Sequence, residues 1–261
     1  MNRMNNFCGL ILCAGYGSRL QEVEKKLPKP MITINKKTLI EYIIDNFIKN
    51  NITKIIFVIG YKKPVLLNFL KKKNKEYLTH NKEIKFFYVL NNAIERENGF
   101  SGFLGLKKIS DLNFNSKIVL SMGDHLYSQK FIKTLVETED KADIIIGTDS
   151  FIKTQKIVEG STTKILGENG EVIAIGKDIK AFNRIDTGIF LVSNSILKVA
   201  EEVEQKQNRF GWTDIIKLAM EKKFAVNFVD FDDIPWFNIN YKHDLLEATE
   251  FTKKWLFDEK I

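Results

Sequence analysis

Nearly all-apolar runs of strand length recur through the first half of the chain, at Phe7–Cys13, Ile55–Ile59, Phe86–Leu90, Ile118–Met122 and Asp143–Gly147. A strand apolar at successive positions has both faces covered, as in a parallel sheet between helices, whereas a strand with one wet face alternates. The intervening segments fit this reading. Thr38–Lys49, Lys63–Lys73 and Phe100–Lys108 carry apolar residues three and four apart, and a further helix is expected at Ser128–Thr138. This alternation predicts an α/β fold with a mostly parallel, Rossmann-like open sheet. Beyond Ser150 the pieces shorten: Thr162–Leu166 and Glu171–Ile175 flank Gly167-Glu168-Asn169-Gly170, a hairpin turn sequence. Strand Asp186–Val192 and helices near Ser193–Glu204, Trp212–Glu221 and Tyr241–Trp255 complete the pattern. With 261 residues, 44% of them hydrophobic, the chain can bury a full core. We read it as a single domain over 1–261, in which 151–192 form a β-rich lid or substrate-binding portion.

The first strand runs into Leu12-Cys13-Ala14-Gly15-Tyr16-Gly17-Ser18-Arg19-Leu20, followed by Pro28-Lys29-Pro30. Glycines let the backbone bring its N–H groups against a phosphate chain, and Arg19 and Lys29 can neutralise triphosphate charge. The flanking prolines hold Lys29 in extended backbone. A dinucleotide-binding loop fits poorly, because its third glycine would fall at Leu20, and a Walker loop fails for want of Gly-Lys-Ser/Thr. Asp124 closes an apolar strand at the end where open α/β sheets bind ligands, and its carboxylate can hold magnesium against a triphosphate there. The alternative is a helix N-cap, a place for which Ser128 competes.

These residues resemble the sugar-nucleotidyltransferase superfamily, whose signature is an Ala-Gly-x-Gly-x-Arg loop followed by Pro-Lys. Within it the chain resembles above all the inositol-1-phosphate cytidylyltransferases. That likeness rests on Gly123-Asp124-His125-Leu126-Tyr127, on Glu97-Asn98-Gly99-Phe100-Ser101, and on Ile175-Gly176-Lys177-Asp178 leading to Phe182-Asn183-Arg184-Ile185-Asp186-Thr187-Gly188-Ile189-Phe190. It implies a GT-A-like nucleotidyltransferase fold, a Mg2+ cofactor, and transfer of cytidylate from CTP to myo-inositol 1-phosphate with release of pyrophosphate. It also implies site roles. Arg19, Lys29 and Lys177 would be catalytic, with Lys177 on the attacking phosphate. Cys13, Ala14, Gly15, Gly17, Asn98, Gly99 and Ser101 would meet the nucleotide, and Asp186, Thr187 and Gly188 the second substrate, with Asp186 an alternative metal ligand; His125, next to Asp124, is read either as a contact to substrate hydroxyls or as a residue that orients the loop. The superfamily's late metal-binding segment, Trp-x-Asp-x-Asp-like, reads Trp236-Phe237-Asn238-Ile239-Asn240 here, so Asp124, Asn240 and Asn238 form the implied metal set. Amides keep an oxygen ligand but lose its charge, and both could instead cap the last helix. Some relatives continue into a membrane-embedded domain; its absence implies a stand-alone soluble enzyme.

Composition excludes little more. The formal charge of +7 suits anionic ligands, but the Lys71, Lys72, Lys73 and Lys75 cluster fits a helix end better than a nucleic-acid patch, so the expected partners are small molecules. Membrane insertion is not expected, and a homo-oligomer stays open. Cys8 and Cys13 would point to opposite faces of one strand, which rules out a bridge between them and fits a reducing, cytoplasmic setting. Rival readings are a cytidylyltransferase for phosphocholine, aminoethylphosphonate or a sugar 1-phosphate, a nucleotide-sugar glycosyltransferase, and a non-catalytic nucleotide sensor.

Overall fold

The computed structural model of the protein describes residues 7–17, 27–150, 160–232 and 234–258. In chain order its elements are β1 (Phe7–Cys13), the small pair β2 (Thr33–Ile34) and β3 (Lys37–Thr38), α1 (Leu39–Lys49), β4 (Lys54–Ile59), α2 (Lys63–His80), β5 (Lys85–Leu90), α3 (Glu97–Asp111), β6 (Lys117–Met122), β7 (His125–Tyr127), α4 (Gln129–Glu137), β8 (Ile144–Asp149), β9 (Lys164–Glu168), β10 (Glu171–Gly176), β11 (Arg184–Val192), α5 (Ile196–Lys206), α6 (Trp212–Glu221), β12 (Val226–Asp230), β13 (Trp236–Asn238) and α7 (Lys242–Asp258).

Among the described residues the main sheet has nine strands in the order β5-β4-β1-β6-β11-β8-β12-β10-β9, and only β11 and β10 run against the rest. The all-apolar strands sit where both faces are covered. In β1, Cys8, Leu10 and Leu12 enter one core, while Ile11 and Cys13 enter the other. Both cysteines are therefore free and buried on opposite faces. Helix α1 starts with a reciprocal cap, in which Thr38 Oγ1 accepts from Glu41 N at 3.4 Å and Glu41 Oε2 accepts from Thr38 N at 2.9 Å. The β9–β10 turn places both Asn169 (φ 51°) and Gly170 (φ 87°) in left-handed backbone, the twist that suits a two-residue hairpin.

From β1 the chain moves outward through β4 to β5 and then returns to β6 on β1's other side. This reversal makes the carboxyl ends of β1 and β6 the crevice in which such a sheet binds ligands. Two expectations need correction. Helix α2 continues to His80 because no breaker follows Lys73, so the lysine cluster lies mid-helix, and Lys73 pairs with Glu41 and Glu76 at 2.8 Å rather than serving a helix end. Of the segment 151–192, β11 is no lid: it pairs with β6 and β8 inside the sheet, and residues 151–159 lie outside those described. The hairpin β9–β10 instead packs at the sheet's far edge. There Arg184 forks onto Asp230 at 2.9 to 3.1 Å, donates to Gly167 O at 3.1 Å and lies over Phe228, tying β11, β12 and β9 together. Among the described residues no helix is long and apolar enough to cross a membrane.

Candidate active site

The crevice at the sheet's reversal has a volume of about 1050 Å³ and gathers residues from across the chain. Lys29 lies in it. Pro28 holds extended backbone and leads into a single 3-10 turn, Lys29–Met31, which leaves Lys29 only 9% exposed. Gly17 closes over it with φ +61°, and a Cβ there would stand 2.8 Å from Lys29 Cβ, so both conformation and space demand glycine. The Lys29 ammonium donates to Asp124 Oδ2 at 2.6 Å and to Asn240 Oδ1 at 2.9 Å.

Asp124 does not cap a helix. Its Oδ1 bonds His125 Nδ1 at 2.7 Å, and although burial alone would raise its carboxyl pKa, the charges of Lys29 and His125 outweigh burial and hold it well below the usual carboxylate range. The His125 ring stacks nearly parallel to Tyr127 and Trp236, with centroids 5.9 Å from each. Gly188 (φ +76°) makes room for it, since a Cβ there would come within 2.7 Å of Nε2. His125 is thereby locked against Asp124, a geometry that orients the carboxylate.

The late segment arrives through β13, which pairs with β7 so that Asn238 stands opposite His125, and Ile239 N donates to Asp124 O at 3.0 Å. At the start of α7, the carboxylate of Asp244 accepts from Asn240 N at 2.8 Å and Tyr241 N at 2.7 Å. Asp244 thus does the capping that Asn238 and Asn240 were alternatives for, and the Asn240 amide is left to face Lys29. Asn238 Oδ1 is buried without a hydrogen-bond partner in the wall of the same crevice. An unmet amide oxygen near a carboxylate is a place that a hard, oxygen-seeking cation satisfies.

Cys13, Ala14, Gly15 and Gly17 line the crevice with Asn98 and Ser101. Burial, and then the charge of Asp124, push the Cys13 thiol well up, so it offers no nucleophile. The loop is pinned by Gly123 N to Leu12 O at 3.0 Å and Tyr61 N to Ala14 O at 2.9 Å. Asn98 caps a neighbour rather than its own helix: its Oδ1 accepts from Trp212 N, at the start of α6, at 2.9 Å. Ser101 Oγ accepts from buried Asn91 at 3.0 Å. Sequence reasoning passes over Asn91, although a polar residue directly after an apolar strand is a usable signal.

Lys177, exposed at the end of β10, and Asp186 complete the described wall. Asp186 accepts from Gly188 N at 2.6 Å, and burial pushes its carboxyl up to about 6. Two expected contacts are corrected. Gly99 does not face the crevice; it packs on Phe210 and Gly211, where a Cβ would meet Gly211 O at 2.5 Å. Thr187 points the other way along β11 and donates to Gly147 O at 2.8 Å, fully buried. Arg19 lies outside the described residues.

A sequence model of the family described as nucleotidyl transferase matches residues 8–254. The chain belongs to the nucleotidyl transferase family. Among its relatives, a bifunctional IPC transferase and DIPP synthase of Archaeoglobus fulgidus is 29% identical over 92% of this chain and 42% of that protein. The CTP:phosphoglutamine cytidylyltransferase of Campylobacter jejuni is 24% identical over 90% of this chain and 96% of that one. The chain spans about half the length of the bifunctional relatives it matches. In fold it is similar to the inositol-1-phosphate CTP transferase from T. maritima, with a TM-score of 0.77 at 21% identity, covering 95% of this chain and 96% of that one.

The depressed Asp124 pKa gives a signed prediction. A carboxyl whose folded pKa lies below its unfolded value of about 3.9 contributes stability that is complete above that value and is lost as pH falls through the folded one. Lys29→Met removes the main attraction. With Lys29 gone, burial raises the variant's Asp124 pKa, so the gap in thermal midpoint between wild type and variant is expected to be largest near neutral pH and to narrow as pH falls, because the variant's carboxyl takes up its proton first. A gap that stays constant throughout would uncouple Lys29 from Asp124.

Proposed function

We propose that the protein transfers cytidylate from CTP to myo-inositol 1-phosphate, giving CDP-inositol and pyrophosphate. The observation that carries this reading is the Lys29 ammonium, held between Asp124 and Asn240 where the sheet reverses. In the reaction an oxygen of the acceptor phosphate bonds to the α-phosphorus of CTP, the bond to the β-phosphate oxygen breaks, and pyrophosphate leaves with that electron pair. The attacking phosphomonoester is already anionic near neutral pH, its second pKa being about 6, so no general base is required. What the protein must supply is alignment and positive charge. Lys29 faces the nucleotide loop, Lys177 stands at the acceptor end, and Asn98 and Ser101 border the base and ribose region.

Asp124, Asn240 and Asn238 would hold a magnesium ion, which would supply positive charge against the triphosphate. Only one of the three is charged, so the protein's own hold on the ion would be weak. CTP is supported by the names of the Campylobacter jejuni relative and of the structural neighbour, and inositol 1-phosphate by the name of that neighbour. The Campylobacter jejuni relative, similar to this chain in length, makes phosphoglutamine the second acceptor to test.

The test is pyrophosphate release with magnesium, crossing CTP, UTP, GTP, ATP and dTTP against inositol 1-phosphate, phosphoglutamine, phosphocholine, aminoethylphosphonate and glucose 1-phosphate. Release confined to CTP with inositol 1-phosphate is expected. Another productive pair would replace the substrates, and no release by protein shown to bind nucleotide would favour a sensor. For the metal set, Asn240→Asp adds a carboxylate where an amide now faces Lys29, and titration with magnesium alone is expected to show equal or tighter binding. Unchanged metal affinity with a lowered thermal midpoint would confine Asn240 to a structural part.

A further inference from the structure

Part of the polar face of helix α6 borders the crevice, with Thr213 and Asp214 half-buried and Lys217 exposed at its mouth. Trp212, Ile215, Ile216 and Ala219 form its buried side, whereas Thr213, Asp214 and Lys217 line the crevice wall. The start of the helix is fixed by Asn98 Oδ1, which accepts from Trp212 N, and by Asp214 Oδ2, which accepts from Gly211 N at 2.7 Å. One turn further on, Lys217 reaches the end of β10. Its Nζ lies 3.4 Å from the point a Cβ on Gly176 would occupy, directly before Lys177. The glycine leaves room for the Lys217 ammonium at the end of β10, and Lys177, the next residue, lines the same crevice. Among the described residues Lys217 has no acidic partner, unlike Lys206 and Lys222, which both pair with Glu202.

We propose that Lys217 is the second cation of the acceptor site, binding with Lys177 the phosphate of the incoming phosphomonoester; this rests on the nucleotidyl-transfer reading above. The charge count favours two. A phosphomonoester carries about −1.5 to −2 near neutral pH, and it must approach a triphosphate of the same sign. A single exposed ammonium leaves much of that charge uncompensated, while two ammoniums from different elements match it and fix its direction. Because α6 is tied to Asn98, the same helix links the acceptor wall to the nucleotide side.

The experiment measures binding of inositol 1-phosphate, inorganic phosphate, unphosphorylated myo-inositol and CTP to the full chain by calorimetry, for wild type, Lys217→Met and Lys217→Arg. Lys217→Met is expected to weaken both phosphate ligands by about tenfold, the scale of one lost charge-assisted hydrogen bond, and to leave CTP within about twofold. Lys217→Arg should retain most of the affinity. In turnover the Met variant should raise the KM for the acceptor and leave that for CTP. Unchanged phosphate affinity in Lys217→Met, equal weakening toward CTP, or wild type that binds neither phosphate would overturn the assignment. Wild type that binds phosphate through Lys217 but releases no pyrophosphate would keep the anion site and reject the transfer reading.

Discussion

The Lys29 ammonium joins segments 95 and 211 residues away in sequence, because its two acceptors are Asp124 and Asn240. Such a bridge is a poor source of stability. Taking a lysine and a carboxylate out of water costs several kcal/mol per ion, and their attraction offsets this only when hydrogen bonds satisfy what remains. The bridge makes sense as a poised site, in which an incoming phosphate and cation can give Lys29 and Asp124 new partners without leaving either charge bare.

The surrounding structure serves to keep that bridge in place. The Gly17 loop closes on the Lys29 stem, the stacked His125 ring fixes one Asp124 oxygen, and Gly188 gives the ring its space. The short β7–β13 pair does the longest-range work, since it carries Asn238 and Asn240 to the end of β6. Asp244 then takes over the start of α7, so the amide of Asn240 points inward instead of capping. Local backbone requirements, ring packing and capping all converge on the position of one carboxylate, which is how this fold turns sequence into electrostatic preorganisation.

Much of this is legible in the order of the residues alone. The buried parallel strands announce themselves because both faces are covered and polarity does not interrupt them. Gly15, Gly17 and the proline-flanked Lys29 read as a phosphate loop from backbone chemistry. The parts that escape are those whose signal lies outside local periodicity. Three-residue strands such as His125–Tyr127 and Trp236–Asn238 are too short to show a period, although their pairing decides the site. Strand Val226–Asp230 gives no clear pattern because it mixes polar and apolar positions over only five residues. Asp186–Val192 reads as a strand, but nothing in its residues says that it sits beside β6 and not in a lid. Gly99 and Thr187 stand inside the right motifs yet serve packing, a distinction set by which way the chain turns and invisible to spacing. Lys217 is one lysine among many until α6 is placed against β10.

If the protein works as proposed, the crevice over Lys29, Asp124 and Asn240 takes the triphosphate. The most direct measurement is a crystal structure of the protein with CTP and magnesium at saturating concentration. Phosphates laid along the Cys13–Gly17 loop, Lys29 within hydrogen-bond reach of a phosphate oxygen, and a cation on the Asp124 carboxylate are expected. A nucleotide seated away from this crevice, or Lys29 still bridging Asp124 and Asn240 beside a bound triphosphate it does not touch, would contradict this placement.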